Sequence, residues 1–383
     1  MLTFLIFIIV LGLIVFVHEF GHFIAAKRSG VRVDEFGFGF PPRIVGVKCG
    51  NTTYSINWIP LGGFVKIKGE SGEDRDDADS FAHKPAWQRG LILLAGVAMN
   101  VVLAIVLLSI GLAVGAPNVT DGLPPSAIVH ERAVQVMAVL PGSPAERAGF
   151  TAGDSILSVD TVTIRDAEDL RARVTASEGA VSIEIKKPAG CRSLAEATTA
   201  LAPDAVLCRV LSVTPETLAE TGKIGIGVQL ANIGVVRYPW YLAIVKGFAA
   251  AFIFLWEIIV SFALLIKNLV LGKGVGADLS GPVGIAVLTG QVSRLGIMYL
   301  MQFVALLSLN LAVLNAVPFP ALDGGRFLFL VIEKFRGKPV PKRAEQIAHQ
   351  VGFALLMLLV LAVTYRDLVR YGGVISSFFR NLF

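Results

Sequence analysis

His18-Glu19-Phe20-Gly21-His22 sets two imidazoles four residues apart with a carboxylate beside the first. On a helix this spacing brings both rings to one face, one turn apart. Two neutral imidazoles held in this way suit a zinc ion, and the adjacent glutamate suits the general base that would take a proton from an attacking water. A catalytic zinc takes three protein ligands and keeps one position open, so a third ligand must come from elsewhere in the chain. Cys49, Cys191 and Cys208 lack the paired C-x-x-C spacing of a zinc or redox motif. His83, His130 and His349 fall in a linker, a soluble-looking stretch and a charged loop, and none is well placed. Asp323 follows Pro318-Phe319-Pro320-Ala321-Leu322 at the end of a long apolar block, where two prolines break the helix and bring irregular backbone that must line a cavity or be buried in protein. Glu257, in the middle of another apolar block, is the rival, but its surroundings read as unbroken helix. Asp323 is favoured.

The elements that must position these groups are membrane spans. Of 383 residues, 54% are apolar and only 16% charged, with a mean hydropathy of +0.70. That excludes a disordered chain and points to a bilayer as the solvent. The net charge of +5 comes from basic residues flanking apolar blocks, not from a stripe interleaved with aromatics, so topology explains it better than nucleic acid does. The run Leu2 to Val17 continues as helix to Ala26 and reads as a span, not a signal peptide, because its positive charges follow it. Lys27, Arg28, Arg32 and Arg43 then put residue 27 inside. Residues 31 to 69 alternate apolar with small or polar residues and read as β-hairpins. The acidic stretch Glu70 to Asp79 reads as a solvated linker, and Leu91 to Val114 as the second span, running outward.

Residues 115–127 read as a linker and residues 128–230 as a small α+β domain outside the membrane. In that domain Val134 to Leu140, Ile156 to Val159 and Val181 to Lys186 read as strands. Ser143 to Ala148 and Asp166 to Ala176 read as helices, the second capped by Asp166. Residues 1–114 hold spans one and two, 231–296 an interfacial or re-entrant helical segment, and 297–383 spans three and four. The expected fold is thus a polytopic α-helical membrane protein of about four transmembrane helices, with membrane-associated β-hairpins and the inserted domain. The re-entrant reading of Leu242 to Leu271 comes from parity. An outside domain must connect to the basic loop at Arg326 to Arg343, expected inside, by an odd number of crossings, yet two apolar blocks lie between. Because Ile297 to Leu322 leads to Asp323, the earlier block is the one expected to enter and return, or to lie along the surface.

The H-E-F-G-H of the first span, the later Asn310-to-Gly325 stretch with Pro318-Phe-Pro320-Ala-Leu322-Asp323-Gly324, and the soluble insert between them resemble the site-2 proteases. These are intramembrane zinc metalloproteases, and the resemblance extends to their bacterial regulator-of-sigma-E branch. It implies zinc on His18, His22 and Asp323, general-base duty for Glu19, and substrate-backbone contact for Asn315. The insert resembles a PDZ domain through Val139-Leu140-Pro-Gly-Ser143-Pro144-Ala145 and Gly153-Asp154-Ser-Ile156. This would make Gly225-Ile226-Gly227 the loop that receives a peptide C-terminus. Enterobacterial members carry two tandem PDZ domains, whereas residues 128 to 230 have room for one.

The resemblance further implies a multi-pass protein of the bacterial inner membrane with its insert in the periplasm. Its substrate would be a single-span membrane protein, such as an anti-sigma factor already trimmed by another protease. An oxidising periplasm would let Cys191 and Cys208 pair and leave Cys49 free. Two other classes compete with endoproteolysis: a zinc membrane hydrolase of a non-peptide substrate would have no use for a peptide-binding insert, and a silent scaffold need not keep Glu19.

Overall fold

The computed structural model describes residues 2–380 apart from 71, 73, 125, 141, 178, 187–208, 218–223, 273–280 and 339. The expected pairing of Cys191 with Cys208 therefore lies outside the described residues; Cys49 is a free, exposed thiol. The chain opens with helix α1 (Leu2–Arg28), strands β1 (Val33–Cys49) and β2 (Thr52–Ile67), and helix α2 (Ala86–Val114). There follow β3 (Ala116–Val119), β4 (Ile128–Val139), α3 (Pro144–Ala148), β5 (Ser155–Val159), β6 (Val162–Thr163), α4 (Ala167–Ala176), β7 (Val181–Lys186) and β8 (Arg209–Val213). The last elements are β9 (Glu216–Thr217), β10 (Ile224–Gly225), β11 (Val228–Arg237), α5 (Trp240–Val270), α6 (Pro282–Leu295), α7 (Ile297–Ala316), α8 (Asp323–Arg336) and α9 (Lys342–Arg380). They form two compact units, one of Met1–Ile110, Ile244–Ser293 and Leu300–Phe383, the other of Gly111–Ala243 with Arg294–Tyr299.

Among the described residues of the first unit, five helices are long and apolar enough to cross a bilayer by length and composition: α1, α2, α5, α7 and residues Arg343–Val369 of α9. The 27 residues of α1 extend about 40 Å, more than a hydrocarbon core of about 30 Å requires. α1 and α7 run side by side, since Val10, Ile14 and Val304 share a buried cluster with Leu300 and Leu311. The last span, expected within residues 297–383, is carried by α9, a helix of 39 residues.

The block 242 to 271, read as entering and returning or lying along the surface, falls on α5. α5 is one unbroken helix of 31 residues. Gly247 lies against Ser109, so close that a β-carbon would stand 2.7 Å from the Ser109 nitrogen. One turn on, Ala251 is buried in a cluster with Ala104, Leu108, Ala305 and Leu309. The helix therefore runs lengthwise down α2 towards lower residue numbers. Small side chains make this possible, because in lipid there is no hydrophobic gain between helices and close van der Waals contact replaces it. After α5 the chain reaches α6, whose leading Gly281 meets Val363 and Asp367 and whose Gly290 meets Thr3. α6 thus sits at the end of the bundle where α1 begins.

The expected hairpins are a single folded ribbon. Val45–Cys49 pairs antiparallel with Thr52–Ile56, while Glu35–Phe38 sits between two stretches of β2: Thr53–Ile56, with residue numbers rising together, and Gly63–Lys66, antiparallel. Gly63–Ile67 is left on one border of this arrangement. The ribbon docks on α1 through aromatic rings: Phe36 lies 4.7 Å from Phe23 and 5.4 Å from Phe16, centroid to centroid. Phe16, Phe20 and Phe23 lie on the face of α1 turned away from His18 and His22, as their spacing requires.

In the second unit the strands form a seven-stranded sheet in the order β3-β11-β4-β5-β7-β8, with β6 on β5. Inward positions Val134, Val136, Ile156, Ile183 and Ile185 pack with Leu170 and Val174 of α4. Ser143 and Asp166 cap their helices, accepting the amides of Glu146 and Asp169. β4 begins at Ile128, earlier than Val134, because its pairing with β11 continues through His130 and Val129. Residues 116–119, read as linker from Pro117 and the glycine and prolines beyond, form β3 on the free side of β11.

Gly247→Val should lower the melting temperature of the detergent-purified protein, since forced overpacking costs about 1–3 kcal/mol. An unchanged melting curve would show that α5 does not rest on α2.

Candidate metal centre

α1 carries His18 and His22 as buried residues near its middle and end. The Nε2 atoms of the two rings are 3.2 Å apart. Asp323 Oδ2 lies 2.9 Å from His18 Nε2 and 3.3 Å from His22 Nε2. Bonds of about 2.0–2.1 Å in a tetrahedral shell place neighbouring ligand atoms about 3.3 Å apart, so the three atoms already have the spacing of one face of such a shell. They form the one group of three or more candidate metal ligands among the described residues. His22 has its other nitrogen committed, with Nδ1 donating to the Ile92 carbonyl at 2.8 Å, which leaves Nε2 as the coordinating atom.

Asp323 reaches the rings because the backbone before it is broken. Pro318 and Pro320 stop α7, and Asp323 is the first residue of α8. The turn between is tight enough that a β-carbon at Gly325 would stand 2.7 Å from the Phe319 carbonyl carbon, and one at Gly324 2.6 Å from that of Ala316. Ala321 has φ +81°, the left-handed region, and its N–H donates to His349 Nδ1 at 2.9 Å. α9 therefore braces the loop that presents the carboxylate. Gly352 of the same helix packs on Pro320.

α2 supplies the third wall. Gly96 faces the rings so closely that a β-carbon would come 2.7 Å from His18 Cε1, and Gly21 makes a matching approach to the backbone of Ala95. Asn100, one turn after Gly96, is fully buried with Nδ2 3.3 Å from His18 Nδ1. Glu19 lies beside Val65, from the border segment of the ribbon. It opens on a cavity of about 170 Å³ lined also by His22, Ile92, Asp323 and Arg326. Arg326 and Glu70 form an ion pair at this cavity.

The structure brings His18, Glu19, His22, Asp323 and Asn315 together. Asn315 Nδ2 stands 3.4 Å from His18 Nε2. Glu257 is exposed on α5 and is not in the group. Gly225, Ile226 and Gly227 belong to the other unit, where they lead into β11. The Ile226 carbonyl accepts the Ala145 amide and the Gly227 carbonyl the Leu140 amide, both at 2.9 Å, and Gly227 has φ +81°. Sequence reasoning missed Gly96, Asn100 and the His349 brace. A lone amide in the apolar run 91–114 was a visible signal for Asn100, since polar side chains at membrane depth survive when they have a partner.

The family profile described as peptidase family M50 matches residues 6–359. The chain belongs to this family, the site-2 proteases. A Clostridium perfringens protein named as a zinc metalloprotease is 34% identical, over 93% of this chain and 95% of its own length. Among further family relatives, the regulator of sigma-W protease RasP of Bacillus subtilis is 29% identical over 96% and 98%. The PDZ domain of an SdrC-like protein from Listeria innocua covers 26% of this chain and 92% of its own, at 20% identity and a TM-score of 0.19. Apolar helices and family together make this site-2 protease a multi-pass membrane protein.

Gly96→Ala pushes a methyl group into both imidazoles and should reduce cleavage about a hundredfold, the effect of a displacement of about 1 Å at a reacting centre. Gly179→Ala, with nothing within 4 Å of the new β-carbon, should leave cleavage unchanged. Equal activity of both variants would show that the rings do not rest on Gly96.

Proposed function

We propose that this chain is a zinc-dependent intramembrane endopeptidase of regulated proteolysis, with zinc held by His18, His22 and Asp323 and Glu19 as general base. The observation that supports this reading best is the spacing of the three ligand atoms beside a carboxylate, inside a bundle of apolar helices. The names of the relatives agree with zinc and with proteolysis that controls a sigma factor. When bound, zinc supplies Lewis acidity and brings the pKa of a water towards about 7. Glu19 takes the proton of the attacking water and returns it to the leaving amine. Asn315, beside His18, donates from Nδ2 to the substrate backbone.

A helical substrate hides its carbonyls in its own hydrogen bonds and must unwind before cleavage. The border segment Gly63–Ile67 offers an edge onto which an extended chain can add as a strand, and Val65 in it lies beside Glu19. The substrate class is a single-span membrane protein, pre-trimmed on its outer side, with an anti-sigma factor as the leading candidate. The protein would reside in the bacterial inner membrane with residues 128–230 in the periplasm as a PDZ-like module.

Replacing His18, His22 or Asp323 by Ala should lower bound zinc and abolish cleavage, whereas Glu19→Gln should abolish cleavage and retain zinc. Metal analysis of the purified variants and accumulation of a trimmed membrane fragment in cells read the two effects. Full activity in Asp323→Ala would sink the ligand set. A silent scaffold would show no difference between Glu19→Gln and the native chain, and a non-peptide hydrolase would leave no fragment.

If Gly225-Ile226-Gly227 receives a C-terminus, free-carboxylate peptides should bind the full-length protein in detergent and their amidated forms should not. Binding indifferent to amidation would remove that role.

A further inference from the structure

Resting on the zinc reading above, we propose that Asn100 is a positioning residue whose side-chain oxygen accepts the Nδ1–H of His18 and holds that imidazole with Nε2 turned to the metal. The two ligand histidines raise the same requirement. A ring that gives Nε2 to a metal carries its proton on Nδ1, and inside a bundle that proton needs an acceptor. His22 finds one in the Ile92 carbonyl of α2. For His18, the group at Nδ1 is the Asn100 amide, at 3.3 Å.

Two features of Asn100 are otherwise unexplained. It is fully buried, and its Oδ1 has no hydrogen-bond partner. The Nδ2 atom facing His18 fits a ring that carries its proton on Nε2 and donates to Asp323. Once Nε2 is given to zinc, the proton moves to Nδ1 and Nδ2 would face another donor. A half-turn of the amide about its terminal bond exchanges oxygen and nitrogen, and the orphaned oxygen then meets the Nδ1–H. Only the amide moves, because the Ser308 hydroxyl anchors the Asn100 backbone carbonyl at 2.9 Å. Ile92, Gly96 and Asn100 recur every fourth residue, so one face of α2 presents an acceptor for His22, a gap for both rings and an acceptor for His18.

The test is zinc affinity of the purified full-length protein, measured by competition with a chelator. Asn100→Leu and Asn100→Ala remove the acceptor, one keeping the bulk and one not, and should each weaken zinc binding by about 10–100-fold. Asn100→Asp keeps an acceptor in the same place and should stay within a few-fold of the native protein. Such a split would not arise from packing, since Leu preserves volume and Asp introduces charge. Native affinity in both Leu and Ala variants overturns the proposal, as does a loss in Asp equal to theirs. His18→Ala separates this from the ligand set. Zinc retained in His18→Ala defeats the ligand reading, whereas zinc lost there but kept in Asn100→Leu and Asn100→Ala defeats only the role of Asn100.

Discussion

The contact on which the first unit depends is the meeting of the His18 and His22 rings with the Asp323 carboxylate, across 305 residues between His18 and Asp323. Polar groups at membrane depth are costly unless they face one another or a cavity. These do both, and most of the surrounding peculiarities follow. The double proline and double glycine around Asp323 break one helix and start the next so that the carboxylate is delivered at the rings. His349 and Gly352 steady the broken backbone from α9. Each is a local concession in helical regularity made where the chemistry is.

Approach distance is the second constraint. Lipid provides no hydrophobic driving force between spans, so helices associate where small residues let backbones touch. Gly21 against Ala95, Gly96 against the rings and Gly247 against Ser109 are three such places. The first two bring α1 and α2 close enough for α2 to line the metal centre, and the third fastens α5 along α2. A methyl group at any of them would meet backbone or imidazole and not a yielding side-chain tip.

The folded ribbon joins α1 to the strand edge proposed for the substrate. Its aromatic face grips α1 through Phe16 and Phe23, while its border strand brings Val65 beside Glu19. Under the proposed function an unwound segment needs an unsatisfied edge next to Glu19, and an edge in the bilayer is tolerable only where protein or a cavity covers it. The cavity beside Glu19 meets that condition.

Much of this was legible in the chain. H-E-x-x-H is a local signal, because helix periodicity alone places both rings and the carboxylate. The prolines before Asp323 are local too, since a missing N–H and a fixed φ break a helix whatever surrounds it. In the insert, alternating strands and the Ser143 and Asp166 caps were readable for the same reason. What the sequence could not decide were relations between distant segments. The face of α2 on which α5 rests depended on one glycine meeting one serine across the bundle, which hydropathy does not register. The doubling of Glu35–Phe38 between two stretches of β2 depended on long-range pairing. The role of Asn100 depended on which ring nitrogen it faces. Residue types and spacing thus determined what chemistry was possible. Only tertiary packing decided which atoms meet, because contact between spans is set by shape at distances of an ångström, and a one-dimensional pattern holds no such information.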